Sequence, residues 1–342
     1  MNKKVIDLFC GCGGLSYGFE RAGFEIKLAI DLWEDAILTY NHNHKNKVGK
    51  LLDIHDLTDQ ELEEFKGKID GIIGGPPCQG YSTVGTRDIN DPRNHLYIEY
   101  CRVVEKVQPE FFLIENVRGL LTLGNGMFKK DIIERFSKLG YNVKFKLLNA
   151  ADYGIPQNRH RVFFIGLKNN KDYKFPEEEA KIVTTKEAIG DLPSLESDSI
   201  KLLEPSSDYQ KLMRENNLEN IILNHDITNH IEQTINVISK VSDGGNIKDL
   251  PEKYWNIRKY NKAFQRMNSK KPSNTIDTGH RNYFHYKYNR IPTVRESARI
   301  QSFPDDFEFL GTKTSQYKQV GNAIPPLLAY KIAESILKSL EE

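Results

Sequence analysis

The chain contains few cysteines and tryptophans and has almost no net charge. Four of its 342 residues are cysteine and two are tryptophan, and 48 basic residues oppose 47 acidic ones for a net charge of +1. No uninterrupted apolar run approaches the roughly 18 residues that a membrane span needs. The few cysteines exclude a small disulfide scaffold. The near-neutral charge argues against a protein that coats nucleic acid or an acidic membrane.

The four cysteines are expected to be reduced thiols in a cytoplasmic protein. The start Met-Asn-Lys-Lys-Val leads directly into a short apolar strand, so we expect no secretory signal. Each thiol is then a packing residue, a metal ligand or a nucleophile. Cys10 and Cys12 have no second Cys/His pair at ligand spacing, which favours packing over a metal site. Cys101 has apolar neighbours at helical spacing and is expected in the core.

The length predicts two domains, because 342 residues exceed the usual size of one hydrophobic core. The first 170 residues alternate short β-rich runs, such as 5–9, 26–31 and 162–167, with amphipathic stretches such as 15–22 and 96–107. This alternation predicts a parallel sheet covered by helices on both faces, an α/β fold. Residues 168–205 resemble a linker or domain entry, and a unit of mixed character follows. The amphipathic helix predicted over 324–340 could pack on either unit.

A glycine-rich loop joins the first predicted strand to the first predicted helix. It reads Asp7-Leu-Phe-Cys-Gly-Cys-Gly-Gly14, and Asp31 ends the next predicted strand. Gly11, Gly13 and Gly14 allow a ligand to approach the backbone, and the Asp31 carboxylate could bind ribose hydroxyls. The sequence lacks both the third glycine of a dinucleotide fingerprint and a phosphate-binding Gly-Lys-Ser/Thr. We therefore expect an adenosine derivative without a pyrophosphate; a tight turn with no ligand is the alternative.

The segment Gly74-Gly-Pro-Pro-Cys-Gln-Gly-Tyr-Ser82 places Cys78 directly after a short apolar strand. Two prolines stiffen the approach to the thiol, and the flanking glycines leave room for a flat ligand. A thiol on a rigid loop at the carboxyl end of a strand is a candidate nucleophile. A buried structural cysteine is the alternative.

Glu115 follows the apolar run Phe-Phe-Leu-Ile, a position that suits a carboxyl group to donate or share a proton near neutrality. A helix-capping or salt-bridged glutamate is the alternative. The carboxyl ends of neighbouring parallel strands meet at one edge of a sheet. Asp7, Asp31, Cys78 and Glu115 are therefore expected to converge on one crevice.

Two further segments carry positive charge. In Gln157-Asn-Arg-His-Arg161, a period of two residues puts Gln157, Arg159 and Arg161 on one face, which suits a phosphate or a base edge. Residues 252–299 contain 12 Lys/Arg and 3 Asp/Glu, a local charge of +9, and the other 294 residues carry −8. This basic segment also holds eight aromatic residues, and it predicts a nucleic-acid footprint. In both segments a solvated charged surface is the alternative.

Together these motifs resemble the cytosine-C5 DNA methyltransferase family of the bacterial restriction-modification type. The resemblance rests on residues 7–14, 74–82, 115–117, 157–161, 295–304 and 319–323, which occur in the family's order. Only residues 196–288 match weakly, where the family places its variable target-recognition domain. The resemblance implies a Rossmann-like, S-adenosylmethionine-dependent methyltransferase domain over 1–180, completed by 315–342. It implies a smaller, mixed target-recognition domain over 181–314.

The resemblance implies transfer of a methyl group from S-adenosylmethionine to carbon 5 of a flipped cytosine in a short duplex DNA sequence, with protection of host DNA from a cognate endonuclease. Cys78 would be the nucleophile, Glu115 would engage cytosine N3, and Arg159 and Arg161 would contact the flipped nucleotide. The expected cofactor-binding residues are Asp7, Phe9, Gly11, Gly13, Gly14, Asp31, Asp53, Pro76, Leu96 and Asn322. The expected DNA-binding residues are Gln79, Ser82, Gln157, Thr275, Thr278, His280 and Arg281.

The expected partners are double-stranded DNA and S-adenosylmethionine, without a metal or a membrane, for a monomer at the bacterial nucleoid. A tRNA-cytosine methyltransferase is the rival enzyme, because one branch of the family uses the same motifs on RNA. The large variable region and its basic excess favour a duplex reader. A catalytically silent DNA-binding relative is disfavoured by Cys78, Glu115 and Arg161, and a dehydrogenase would need the dinucleotide loop that the sequence lacks.

Overall fold

The computed structural model describes residues 2–77, 95–194, 202–217, 221–257, 264–278 and 283–342. The chain packs as two compact units. Unit 1 comprises Met1–Asn149, His160–Glu177 and Pro326–Glu342, and unit 2 comprises Ala150–Arg159 and Glu178–Pro325. Residues 315–325, which the resemblance groups with the catalytic domain, thus pack within unit 2. The functional division at 180 and 315 stays a prediction.

Strands and helices alternate along the described part of residues 4–149, as predicted. The strands are β1 (Lys4–Leu8), β2 (Glu25–Asp31), β3 (Gly49–Leu51), β4 (Gly71–Gly74), β5 (Phe111–Val117), β6 (Tyr141–Asn149), β7 (Gln157–Asn158), β8 (His160–Lys168), β9 (Gln265–Arg266), β10 (Ser273–Asn274) and β11 (Tyr283–Phe284). The helices are α1 (Gly14–Arg21), α2 (Glu34–Asn43), α3 (Asp59–Glu64), α4 (His95–Val107), α5 (Met127–Lys138), α6 (Thr185–Ile189), α7 (Asp208–Met213), α8 (Glu232–Lys240), α9 (Val294–Ile300), α10 (Lys313–Asn322) and α11 (Pro326–Glu341).

Unit 1 is built on a seven-stranded sheet with the order β3-β2-β1-β4-β5-β8-β6. Strands β1 to β5 pair in parallel, as predicted. Strand β8 runs antiparallel to both of its neighbours, β5 and β6, so the prediction of a wholly parallel sheet is wrong at this edge. The short segment 150–159 connects β6 to β8, and antiparallel neighbours need no helical crossover.

The core of unit 1 follows the period-two alternation of the central strands. Ile6 and Leu8 of β1 belong to an apolar cluster that α4 and α5 cover, whereas Asp7 lies on the opposite face. On that opposite face the ring of Phe19, from α1, stacks on Phe111 with centroids 6.4 Å apart. The sheet is therefore buried on both faces, as its nearly continuous apolar strands predict.

The last helix, α11, belongs to unit 1 and packs against the first helix, α1. A Cβ atom on Gly18 would lie 2.5 Å from both Ala329 Cβ and the Pro326 carbonyl oxygen, so only glycine permits this close approach. The choice that the sequence left open for this helix is thus resolved: it packs on unit 1, beside the helix that follows the glycine-rich loop.

Unit 2 contains short helices and two pairs of two-residue strands, β10 with β7 and β11 with β9. Helix α9 is its centre, because all seven residues of this helix are buried although three of them are charged. Arg299 donates to both carboxylate oxygens of Asp305 at 2.6 and 2.7 Å and to Asp191 at 2.8 Å. Arg290 makes a bidentate pair with Glu296 at 2.7 Å. Ion pairs and carbonyl contacts thus compensate the charges around this helix.

Candidate active site

The glycine-rich loop leaves β1 through backbone conformations with positive φ. Phe9, Gly11 and Gly13 have φ values of 62°, 53° and 95°. A Cβ on Gly13 would lie 2.1 Å from His44 Nε2, which makes glycine necessary there, whereas a Cβ on Gly11 would meet no atom within 4 Å. The loop is therefore closely packed at Gly13 and open at Gly11, where a ligand could approach the backbone.

Asp31 holds this loop against the end of β2, as the convergence of the two strand ends predicts. Its Oδ2 accepts a hydrogen bond from Gly11 N at 2.8 Å, and its Oδ1 accepts from Trp33 N at 2.9 Å. Burial raises the pKa of the Asp31 carboxyl, although backbone hydrogen bonds from Gly11, Trp33 and Leu32 oppose that effect. A carboxylate offers about four lone-pair sites, so Asp31 could still accept from a hydroxyl.

Asp53 lies near the end of β2, because the preceding residue, Leu52, donates its N–H to the Asp31 carbonyl at 3.1 Å. Its carboxylate caps the short 3₁₀ turn Ile54–Asp56 and accepts from His55 N at 2.9 Å. That backbone hydrogen bond lowers the pKa of Asp53, and the His55 ring 2.6 Å away adds to the effect. The side chain is partly exposed, and its predicted contact with adenine stays a prediction.

Asp7 is buried beneath the loop, and its carboxyl group is held by two residues that the sequence did not single out. Ser16 Oγ donates to Asp7 Oδ2 at 2.6 Å, and Tyr40 Oη donates to Ser16 Oγ at 3.1 Å. The pKa of Asp7 is raised to about 7, chiefly by burial and also by the nearby Asp31 charge, against the lowering effect of the hydrogen bonds from Ser16. A serine within the apolar face of the first helix was the only sequence signal for this arrangement.

Glu115 and Arg161 form an ion pair at the end of β5. Arg161 Nε lies 2.9 Å from Glu115 Oε1, and the two side chains are only 18% and 12% exposed. A Cβ on Gly75 would lie 3.1 Å from Glu115 Oε2, so the carboxylate lies beside the backbone that leads to Cys78. Glu115 is therefore salt-bridged, as the alternative interpretation expected. It also lies at the sheet edge where the sequence predicts the candidate active site.

Asn116 fixes the approach to Cys78, a role that the sequence analysis missed. Its Nδ2 donates to the buried Pro76 carbonyl at 2.9 Å, and its Oδ1 accepts from Val117 N at 2.8 Å. The amide thus ties the end of β5 to the loop after β4. Cys78, Gln79 and Ser82 lie outside the described residues. Asp7 and Asp31 are close enough to interact electrostatically, and Glu115 lies beside the loop after β4. The convergence of all four residues on one crevice stays a prediction. Leu96 packs against the core cluster at the start of α4.

Gln157 and Arg159 belong to unit 2 and are buried there. Gln157 Oε1 accepts from Ile276 N at 3.0 Å, and its Nε2 donates to Gln301 Oε1. Arg159 Nη1 donates to the Gly321 carbonyl at 3.0 Å. Burial alternates along 157–161, as a period of two residues predicts, but these partners are parts of the protein itself. Contacts of Gln157 with DNA and of Arg159 with a flipped nucleotide stay predictions.

Three other residues predicted to bind DNA or cofactor are described in unit 2: Thr275 and Thr278 near β10, and Asn322 in α10. Thr275 Oγ1 donates to the Asn158 carbonyl at 2.7 Å, and Thr278 is exposed. Asn322 is exposed at the end of α10 and belongs to unit 2. His280 and Arg281 lie outside the described residues. The predicted roles of these residues are not tested by the structure.

The basic segment 252–299 contributes fewer free cations than its net charge suggests. Arg266, Arg290, Arg295 and Arg299 are at most 7% exposed. Arg266 donates to the carbonyl groups of Val241 and His285 and to other acceptors within unit 2. Four of the 12 basic residues are therefore used inside the unit, whereas Lys253, Lys270, Lys271 and Lys287 are exposed. The other four basic residues, Arg258, Lys259, Lys262 and Arg281, lie outside the described residues. Among the described residues of this segment, the exposed lysines are the ones available for a DNA footprint.

Three of the cysteines are buried thiols outside any disulfide: Cys10, Cys12 and Cys101. Burial raises the pKa of the Cys10 thiol, and the charges of Asp7 and Asp31 add to the effect. Cys101 belongs to the core cluster, as predicted. The described part of the chain contains no group of three or more side chains able to hold a metal ion. It also contains no helix with the length and apolar content of a membrane span.

The end of the sheet fits an adenosine derivative that carries positive charge. The loop is open at Gly11, the Asp31 carboxylate stands where a ribose would meet the end of β2, and Asp53 lies near it. Asp7 Oδ1 is buried and has no hydrogen-bond partner among the described residues. Three carboxyl groups at one edge favour a cation over a phosphate.

Comparisons with known proteins agree with this geometry. Residues 3–338 match the model of the C-5 cytosine-specific DNA methylase family. The type II methyltransferase M1.HphI of Haemophilus parahaemolyticus is 43% identical over 99% of this chain and 87% of its own length. The type II methyltransferase M.DdeI of Desulfomicrobium norvegicum is 40% identical over 97% of this chain and 88% of its own length. A crystal structure assigned as a DNA modification methyltransferase of an E. coli prophage superposes with a TM-score of 0.83 and 30% identity, covering both chains fully.

Proposed function

The chain belongs to the C-5 cytosine-specific DNA methylase family, and from this premise we propose how it methylates its target. It is a cytosine-C5 DNA methyltransferase. We propose that it acts on one cytosine of a specific short duplex sequence, with S-adenosylmethionine as methyl donor. We further propose that it protects host DNA from a cognate endonuclease, because its relatives are type II methyltransferases. The observation that carries the mechanism is the Glu115–Arg161 pair beside the loop that leads to Cys78.

Carboxylates and glycines at the end of the sheet would hold the methyl donor. Asp31 would accept from the ribose hydroxyls, Asp53 would meet the adenine, and the backbone at Gly11 would face the ligand. The set proposed from the family resemblance is completed by Asp7, Phe9, Gly13, Gly14, Pro76 and Leu96, and by Asn322 in unit 2. When bound, S-adenosylmethionine supplies an electrophilic methyl group on a positively charged sulfur.

Cys78 and Glu115 would make cytosine C5 nucleophilic. The Cys78 thiolate forms a bond to C6, and the electron pair of the C5–C6 double bond becomes available at C5. Glu115 engages N3 and shares a proton there, which accommodates the charge that develops in the ring. Arg161 fixes the position of the Glu115 carboxylate through its ion pair. After C5 has gained the methyl group, loss of the C5 proton and of the thiol restores the aromatic ring.

Access to C6 requires the cytosine to leave the helix. Carbon 6 is shielded by stacking inside a duplex, so a thiol cannot reach it without extrusion of the base. We propose that Gln79 and Ser82 in the Cys78 loop, together with Gln157, Thr275, Thr278, His280 and Arg281, contact the DNA. Arg159 and Arg161 would contact the extruded nucleotide. The protein is expected to act as a monomer in the cytoplasm, at the nucleoid.

A Cys78→Ser variant tests the covalent mechanism. We expect it to transfer tritiated methyl groups to DNA at less than about one thousandth of the wild-type rate, because a neutral hydroxyl is a poor nucleophile for C6. Cys101→Ala, which changes a core thiol in α4, is the matched control and should retain methyl transfer. Wild-type rates in the Cys78→Ser protein would refute the covalent step. DNA containing 5-fluorocytosine should give a denaturation-resistant adduct with the wild-type protein only.

The substrate class and the target sequence can be determined in one set of measurements. Bisulfite sequencing of a plasmid expressed with the protein should show protected cytosines within one short sequence context. A parallel assay with tRNA as acceptor separates the DNA enzyme from its RNA-modifying rival. If tRNA is methylated and the plasmid stays unmethylated, the proposed DNA substrate is wrong.

A further inference from the structure

Asp7 lies directly before the glycine-rich loop, but it is sealed from solvent. It is 1% exposed and lies on the face of β1 that α1 covers. One of its oxygens accepts from Ser16, and the other has no hydrogen-bond partner among the described residues. A buried carboxylate with an unused oxygen is costly unless it is protonated or a positive charge is near.

The hydrogen-bond chain that ends at Asp7 has a defined direction. Tyr40 Oη donates to Ser16 Oγ at 3.1 Å, so the single hydroxyl proton of Ser16 is directed to Asp7 Oδ2 at 2.6 Å. The Tyr40 ring stacks on His44 with centroids 3.9 Å apart, and His44 lies beneath Gly13. The chain therefore holds the Asp7 carboxyl in one place below the loop.

The ionisable groups that face Asp7 do not compensate its charge. Asp31 and Glu20 are acidic and raise the pKa of Asp7, after burial, which is the largest cause. The Cys10 thiol and the Tyr40 phenol are also close, and burial raises the pKa of both groups. His44 Nδ1 lies 2.6 Å from Glu20, so this histidine faces a different carboxylate. In the described chain, no salt bridge joins Asp7 to a basic side chain.

We propose that Asp7 is a positioning residue that discriminates, by charge alone, the cationic methyl donor from its neutral sulfide product. The proposal rests on the proposed use of S-adenosylmethionine. Methyl transfer breaks the bond between sulfur and the methyl carbon, and the bonding pair stays on sulfur, which loses its positive charge. With sulfur neutral, its charge attraction to the ionised Asp7 carboxylate is lost, which weakens binding of the sulfide and favours its release. Asp7 regains a proton from water when the product leaves and the site exchanges with solvent.

Thermodynamic linkage relates the ionisation of Asp7 to the affinity of the site for each ligand. If a positive charge at the site favours ionised Asp7, then ionised Asp7 favours the positively charged ligand by the same factor. The donor and the product share their adenosine and amino-acid groups and differ in the methyl group and in the charge on sulfur. The contacts of the methyl group do not titrate, so the pH dependence of the affinity ratio reports the charge. Burial raises the pKa of Asp7 to about 7. The ionisation of Asp7, and with it the change in the affinity ratio, therefore falls within the pH range of ordinary binding measurements.

Calorimetric titrations with S-adenosylmethionine and S-adenosylhomocysteine test the proposal without measuring activity. Between pH 5.5 and 8.5 we expect the donor-to-product affinity ratio of the wild type to rise about tenfold through a midpoint near 7. Donor binding should also release more protons than product binding when measured in two buffers of different ionisation enthalpy. Asp7→Asn should abolish both effects. Titration of the ligands themselves is common to both proteins and cancels in the comparison.

Three further variants keep the test decisive if Asp7→Asn folds poorly. Ser16→Ala removes the donor that stabilises the Asp7 carboxylate, so the midpoint should move to higher pH, and Tyr40→Phe should move it less. Asp172→Asn, which changes an exposed carboxylate of unit 1, is the matched control and should leave the midpoint unchanged. Binding of both ligands with a pH-independent ratio overturns this inference and leaves the proposed function standing. Binding of neither ligand overturns both.

Discussion

Asp7 in unit 1 and Glu296 in unit 2 are both buried carboxyl groups, 1% and 0% exposed, yet their surroundings shift their pKa values in opposite directions. Burial raises the pKa of Asp7 to about 7, and its charged neighbours are acidic. Burial acts in the same sense on Glu296, but His285 and the paired Arg290 lower its pKa to about 2. The difference lies in the neighbouring cation and not in the depth of burial.

Glu296 carries a charge that is fixed by the fold, whereas the ionisation of Asp7 can change with its surroundings. Glu296 accepts two hydrogen bonds from Arg290 and one from Thr293 N, so its ionised form is fixed by the fold. Asp7 has one hydroxyl donor and an unused oxygen, so its ionised form depends on what occupies the site. Unit 2 uses buried charge to determine its own packing, whereas unit 1 leaves one buried charge for a ligand to compensate.

The largest expected effect comes from breaking the compensated pair. Glu296→Gln should lower the free energy of unfolding of unit 2 by about 3–5 kcal/mol, because it leaves the Arg290 guanidinium buried without a counter-charge. Urea unfolding followed by tryptophan fluorescence measures this, since Trp33 lies in unit 1 and Trp255 in unit 2. A Trp33→Phe background makes the signal specific for unit 2.

An exposed ion pair of unit 2 provides the control for this measurement. Lys211 and Asp208 lie 3.5 Å apart with side chains 64% and 83% exposed. Lys211→Gln should change the free energy of unfolding by less than about 0.5 kcal/mol. Equal effects of the two substitutions would mean that burial does not govern the strength of these pairs.

The uncompensated carboxyl should give unit 1 the opposite dependence on pH. The folded-state pKa of Asp7 lies above its unfolded value of 3.8, so the folded state binds the proton more tightly. Stability from this group is therefore full at low pH and is lost as pH rises, by at most about 4 kcal/mol between pH 4 and 7. In a Trp255→Phe background, Asp7→Asn should flatten this decline. A decline that persists unchanged in the variant would assign it to another group.

Glu296 gives the reverse sign in unit 2. Its folded-state pKa lies below its ordinary value of 4.5, so its contribution is full above that pH and is lost as pH falls towards 2. The two single-tryptophan backgrounds should therefore show stability changing in opposite directions in acid.

The smallest expected effects concern the exposed charges of the basic segment. Replacing Lys270 and Lys271 together with Gln should lower DNA affinity about tenfold and reduce the slope of log K against log salt by roughly 1 per residue. Filter binding at several salt concentrations measures both quantities. The free energy of unfolding should change by less than about 0.5 kcal/mol, because both side chains are exposed. An unchanged salt slope would remove these lysines from the proposed footprint.

Much of unit 1 was predictable because its elements are periodic. Strands β1 and β2 and helices α1 and α4 lie within about two residues of their predicted bounds. Strand β3 was not predicted, because Gly-Lys-Leu has no alternation to detect. The reversed direction of β8 was also missed, because periodicity reports which residues are buried and says nothing about strand direction.

The site was predictable where a residue ends a strand and not where it depends on packing between elements. Asp31 and Glu115 follow from strand ends and lie at the expected edge. Ser16, Tyr40 and Asn116 act through contacts between a helix and a strand or between two loops, which no local pattern encodes. The net charge of the basic segment likewise cannot distinguish an exposed lysine from a buried arginine such as Arg266.

The close contact between Gly18 and the start of α11 joins two segments of unit 1 that are distant in sequence. A ribosome releases α1 well before α11, so the helix that follows the glycine-rich loop lacks this packing partner until all of unit 2 has been synthesised. We expect the methyl-donor site to form late, after the part of the protein that would read DNA has been made.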